Sequence, residues 1–171
     1  MTIRISILFL LVSALLYAGP VLAFLPPGAS IGGEPGQTVQ WNFSVTNDVD
    51  FILVTEVDYL TLDPIGTFTD LFSPSAPVLG PSDWAVGAGQ YLIDPLVPTG
   101  YTSTGSLEAT YELYSVSPND PDFNPYTDTL ASGLTISRDA SVTATPEPST
   151  MWMAWAGAGL AALEVRRRIR A

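Results

Sequence analysis

The 171-residue chain contains no cysteine and no histidine, and because all six of its basic residues are arginine it contains no lysine either. These absences remove much chemistry at once. A Ser-His-Asp triad, a Cys-His pair, a Ser-Lys dyad, a histidine-bound zinc site and a lysine Schiff base cannot be built. Carboxylates are what remains for acid-base work, which leaves a carboxylate-dependent glycosidase, with a cleft holding two close acids, as the enzymatic alternative; nothing in the sequence pairs two of the acids at that separation. Glu108 and Glu112, four residues apart, fall on one face of an expected strand and read as a solvated outer face. The chain is therefore expected to be non-catalytic. With no cysteine there is no disulfide and no lipid-attachment cysteine, so an exported fold would have to rest on its core alone.

Positive charge is scarce and confined to the ends. Arg4 lies near the start, Arg166, Arg167, Arg168 and Arg170 lie at the finish, and Arg138 is the single basic residue between them. Residues 24–145 hold one arginine against fifteen acids, a net charge of −14. Nucleic acid and anionic lipid surfaces are excluded as partners by that balance. Neutral sugars and divalent cations are compatible with it.

The N-terminus has the layout of a secretory signal peptide: Arg4, an apolar stretch from Ile5 to Ala18, the helix-ending Gly19-Pro20, and a small-residue site at Val21-Leu22-Ala23. Cleavage is expected between Ala23 and Phe24. That divides the chain into a signal peptide over 1–23, its helix ending before Gly19-Pro20, an ectodomain over 24–145 and a C-terminal segment over 146–171.

Period-two alternation dominates the ectodomain. From Thr38 to Thr46 the residues Val39, Trp41, Phe43 and Val45 are apolar, with Gln40, Asn42 and Ser44 between them. From Phe51 to Tyr59 the pattern predicts Phe51, Leu53, Val57 and Tyr59 on one face against Glu56 and Asp58, after a turn at Asn47-Asp48. From Ser106 to Tyr114 it predicts Leu107, Ala109, Tyr111 and Leu113 inward. Shorter strands are expected at Trp84–Val86, Gln90–Ile93, Leu134–Ser137 and Ala140–Ala144, with no helical period between them. Short strands separated by Gly, Pro, Asn and Asp clusters predict an all-β antiparallel sandwich. The opening Pro35-Gly36-Gln37-Thr38-Val39 with Trp41-Asn42-Phe43-Ser44-Val45-Thr46-Asn47 resembles the first core strands of bacterial immunoglobulin-like surface modules.

One acidic loop stands out. Asp120, Asp122, Asn124 and Asp128 fall at relative positions 1, 3, 5 and 9, the opening oxygen pattern of a calcium loop. Pro125 stands where that pattern needs glycine and Ala131 where it needs a closing glutamate, so a Pro/Asp-rich connection between strands is the competing reading. Trp41, Trp84, Tyr91, Tyr101, Tyr111, Tyr114 and Tyr126 raise the alternative of a polysaccharide-binding module, which requires several of them on one exposed face.

The C-terminal segment has three parts in order. Pro146-Glu147-Pro148-Ser149-Thr150 is fixed as exposed, extended backbone by its prolines. An apolar run from Met151 to Val165 follows, with Trp152 and Trp155 at its start, and is read as a transmembrane helix. Arg166, Arg167, Arg168 and Arg170 form a membrane stop. At about 1.5 Å per residue the run reaches about 22 Å, less than the ~30 Å of a hydrocarbon core, which suits a transient anchor.

This order of Pro-Glu-Pro, apolar helix and arginine cluster, in a chain with a signal peptide, closely resembles the PEP-CTERM sorting-domain proteins. The resemblance implies an exosortase substrate of a Gram-negative, exopolysaccharide-producing bacterium. It implies export through the inner membrane as a periplasmic or membrane-anchored precursor, removal of the tail, and delivery to the cell surface or extracellular matrix and biofilm. An exosortase-type enzyme, the membrane and extracellular polysaccharide are the partners it implies.

Overall fold

Strict alternation in Thr38–Thr46 fixes which way one sheet faces, since Trp41, Phe43 and Val45 are buried and the residues between them are not. The computed structural model describes residues 19–48 and 50–146. They form β1 (Val21–Phe24), β2 (Ser30–Gly33), β3 (Thr38–Thr46), β4 (Phe51–Thr61), β5 (Gly66–Asp70), β6 (Val78–Leu79), β7 (Trp84–Ile93), β8 (Thr102–Tyr114) and β9 (Thr129–Ala144). The first sheet runs β1-β3-β7-β5 and the second β2-β9-β8-β4-β6. The described ectodomain is thus a two-layer β-sandwich, its neighbouring strands antiparallel except for β2, which runs parallel to the end of β9.

The two layers meet through aromatic rings. Trp41 lies 5.0 Å from Tyr59 of the second sheet and 6.1 Å from Tyr91 of its own, with Tyr59 and Tyr91 edge to face at 5.6 Å. Each polar tip is satisfied: the Trp41 indole donates to the Ala29 carbonyl at 3.1 Å, the Tyr59 hydroxyl to the Ser103 carbonyl at 3.1 Å, and the Tyr91 hydroxyl accepts from the Ile65 amide at 3.1 Å. Directly across the ladder from Trp41 and Phe43 stand Gly89 and Gly87. A Cβ on Gly87 would come within 2.5 Å of the Phe43 ring, so glycine here makes room for the edge-to-face pair of Phe43 and Phe72.

Asn47, wholly buried, closes the end of the sandwich where β3 finishes. Its amide donates to the carbonyls of Asp50, Leu79 and Gly80 at 2.6, 3.0 and 3.1 Å, tying the first sheet's turn to β6 of the second. Asp70 does similar work at the end of β5. Its carboxylate accepts from the amides of Val57, Phe72 and Ser73.

Three expectations change. In β4 the buried residues are Ile52, Val54, Val57 and Tyr59, so Phe51 and Leu53 do not share the inward face with Val57 and Tyr59. A bulge between Val54 and Glu56 reverses the phase of the strand, which strict alternation does not allow for. In β8, Leu107, Ala109 and Tyr111 are buried as expected, but register shifts beyond Tyr111 bury Tyr114 ahead of Leu113. The paired short strands at 84–93 and 134–144 are each part of one longer strand, β7 and β9. One helical turn, Pro125–Asp128, also occurs in the connection between β8 and β9. Both terminal helices of the sequence reading, at 1–18 and 151–165, lie outside the described residues, and among the described residues no helix is long and apolar enough to cross a membrane.

Two outcomes are expected. Gly87→Ala should destabilise the fold by about 1 to 3 kcal/mol through overpacking against Phe43 and Phe72; denaturant melts of wild type and variant measure it, and equal midpoints would refute the packing account. Burial raises the phenols of Tyr91 and Tyr111 above their ordinary pKa, and burial with the neighbouring Glu112 carboxylate pushes Tyr114 up to about 12. A folded pKa above the unfolded value gives stability that is complete below the unfolded pKa of about 10 and is lost as pH climbs toward 12. The melting temperature should therefore fall between pH 10 and 12 in step with phenolate absorbance.

Candidate functional site

The C-terminal segment leaves the sandwich from a firmly held position. β9 is paired with β8 along most of its length, and its last four residues, Ser141–Ala144, also pair in register with β2. The Ala144 amide donates to the Tyr101 carbonyl at 2.9 Å, the Gly100 amide to the Ala144 carbonyl at 2.6 Å, and the Thr145 amide to the Gly33 carbonyl at 2.8 Å. Backbone pairing thus continues to the residue before Pro146, and proline then removes the next donor. No linker separates the folded unit from the Pro-Glu-Pro stretch. Pro146 is the last residue described; Glu147, Pro148, Ser149 and Thr150 and the arginines at 166–168 and 170 lie outside the described residues.

The same end of the sandwich holds the loop after β4 and the loop after β7. Leu62 and Leu96 project from them, both almost fully exposed, and the Tyr101 hydroxyl donates to the Asp63 carboxylate between them. That contact raises the Tyr101 pKa above its ordinary value, the hydrogen bond acting first and the carboxylate's charge second.

The aromatic platform that the binding-module alternative requires is not assembled. Trp41, Tyr91, Tyr111 and Tyr114 are buried, while the exposed Trp84, Tyr101 and Tyr126 belong to different parts of the surface. A different surface feature went unnoticed in the sequence. The outward positions of the first sheet carry no charge: Gln40 and Asn42 on β3, Thr67 and Thr69 on β5, and Trp84, Val86, Gln90 and Leu92 on β7 make a neutral face. Its amides are linked, Gln40 donating to Asn42 at 2.6 Å and Gln90 to Gln40 at 3.4 Å. The signal was there in the polar half of the alternation, which is amide and hydroxyl in β3 but carboxylate in β4 and β8. On the second sheet Asp58 stands opposite Glu108, with Glu56 and Glu112 on the same outer surface.

Three of the four oxygen-bearing side chains of the acidic loop are occupied with their own loop. Asp120 accepts from the Asp122 amide at 2.9 Å, Asn124 caps the helical turn by accepting from the Tyr126 amide at 3.1 Å, and Asp128 accepts from the Asn124 amide at 2.7 Å. The structure does not bring Asp120, Asp122, Asn124 and Asp128 together as calcium ligands, and among the described residues no group of three or more acids could hold a metal ion. An open depression of about 820 Å³ beside β4, β8 and β9 contains a single carboxylate, Asp139.

The residues at the expected signal cleavage site, Ala23 and Phe24, belong to β1 and pair with Ser44 and Phe43 of β3.

No curated protein matches the chain. Among solved structures it is similar to the ASH/PapD-like domain of human CEP192, at 13% identity over 86% of this chain and 100% of that one, with a TM-score of 0.45. It is also similar to the VesB protease of Vibrio cholerae, at 12% identity over 74% of this chain and 32% of that one with a TM-score of 0.42. CaCohA2 from Clostridium acetobutylicum matches at 14% identity over 77% and 94% of the two chains, with a TM-score of 0.34. Likenesses at this level carry no functional inference. The C-terminus is different: a family model for the PEP-CTERM protein-sorting motif matches residues 144–168, beginning at the last residue of β9. What leaves the sandwich at Thr145 is a PEP-CTERM sorting segment, and it marks the chain for exosortase-dependent sorting as a surface protein.

Proposed function

We propose that the chain is a non-catalytic matrix protein: a leader directs export, the C-terminal tail holds the precursor transiently in the inner membrane, and an exosortase-type enzyme removes the tail so that the sandwich joins the extracellular polysaccharide. One observation carries this reading. The sorting motif begins where the backbone pairing of β9 ends, so the folded unit and its processing signal are contiguous. The absence of histidine, cysteine and lysine supports a structural role.

The neutral outer face of the first sheet favours polysaccharide as the matrix partner. Linked amides and threonine hydroxyls match the hydroxyls of neutral sugars, and Trp84, 66% exposed, offers a ring on which a sugar can stack. Elsewhere the acidic surface repels anionic polymers.

Processing is tested in a host that has an exosortase. Mass spectrometry of the surface or released form should find a C-terminus near Pro146–Thr150, without Met151 to Ala171. Replacing Pro146, Glu147 and Pro148 together by alanine should leave a full-length, membrane-retained chain, and a wild-type chain that keeps its arginine tail would refute the reading. Matrix binding is tested separately: Gln40→Glu with Gln90→Glu, or Trp84→Ala, should lower retention of processed protein on the host's purified polysaccharide by about tenfold, the effect of roughly 1.4 kcal/mol. Unchanged retention would remove polysaccharide as the ligand of this face.

A further inference from the structure

The N-terminal strand bears on where the leader is cut. Packing begins at Pro20, which is buried, whereas Gly19 is exposed. Leu22 is 2% exposed and belongs to the core, and Phe24 packs against it. All four residues of β1 are in register with β3, from Val21 opposite Thr46 to Phe24 opposite Phe43, and the Leu25 amide continues the pairing to the Asn42 carbonyl at 2.8 Å. The Leu22 carbonyl accepts from the Arg138 guanidinium at 3.0 Å, which joins β1 of the first sheet to β9 of the second. Arg138 is the only basic residue between Arg4 and Arg166.

A cut after Ala23 discards Pro20 to Ala23 from this arrangement. It empties the Leu22 position in the core, removes the acceptor of Arg138, and places a protonated α-amine on Phe24, the last residue of β1, whose side chain packs against the core. A cut after Ala18 costs the fold nothing that is described. It keeps the alanine before the bond, while two positions earlier Leu16 is bulkier than the Val21 of the other bond, so the choice rests on what the fold retains. Ile5 to Leu15 then remains as the apolar core of the leader.

We infer that the signal is cleaved between Ala18 and Gly19, so that β1 stays with the mature protein. Water adds to the Ala18 carbonyl carbon and the Ala18–Gly19 peptide bond breaks, leaving a carboxylate on Ala18 and an α-amine on Gly19. The inference rests on the leader reading above.

The full chain, exported in a Gram-negative host, tests it by intact-mass and N-terminal peptide analysis. A mature N-terminus at Gly19 is expected, and one at Phe24 overturns the assignment. An unprocessed chain overturns the leader reading itself and this site with it. Ala18→Phe should abolish the Gly19 terminus while Ala23→Phe should leave it in place; the reverse pattern points to the later bond. A second readout does not rely on identifying the terminus. Leu22→Ala should lower the melting temperature of the exported protein by at least about 5 °C if β1 is present, and an unchanged melting temperature means the strand is gone and the inference fails.

Discussion

The sandwich depends on a single cross-strand arrangement, the pairing of Trp41 and Phe43 on β3 with Gly89 and Gly87 on β7. The two missing side chains on β7 make room for rings from both flanks: Gly87 for Phe43 of β3 and for Phe72, Gly89 for Phe68 of β5. Phe43 thereby meets Phe72 edge to face, and Phe68 lies 6.3 Å from Trp41, which reaches Tyr59 of the other sheet. Without disulfides, this interlocking is what an exported chain has in place of covalent staples. Trp41, Tyr59 and Tyr91 each have their polar atom bonded to a backbone group, so the aromatic core also pins the segments at Ala29, Ile65 and Ser103.

Charge is segregated between the two outer surfaces. One sheet presents amides, hydroxyls and a few apolar side chains; the other presents Glu56, Asp58, Glu108 and Glu112. Asp58 directly opposite Glu108 is an unfavourable cross-strand pair. Solvent screens it on an exposed surface, and the acidic sheet resists stacking on other copies, whereas the neutral sheet has no such barrier.

How much of this could be read from sequence depended on locality. β3 was read with its true ends because nothing interrupts its alternation, and the sorting motif was read because its information is contiguous. β4 was found but its inward face was misassigned, since a bulge is a property of two strands and leaves no mark in one. β7 looked like two fragments because its buried Gly87 and Gly89 break an apolar pattern that the partner strand's rings complete. β1 was hidden inside a segment whose composition already had another explanation. The acidic loop carried the right oxygens at the right intervals, yet those oxygens close Asx turns, which need the same residue types as a calcium site does.

The geometry of β9 has a mechanical side. It is the longest strand, with β8 antiparallel on one flank and, near its end, β2 parallel on the other. Tension applied through the tail runs along this strand and not across it, so the bonds to β2 and β8 are loaded together in shear instead of opening one at a time. β1 pairs at the opposite end of the first sheet, where β3 finishes. A pull from the C-terminal end is therefore borne by the second sheet before it reaches β1.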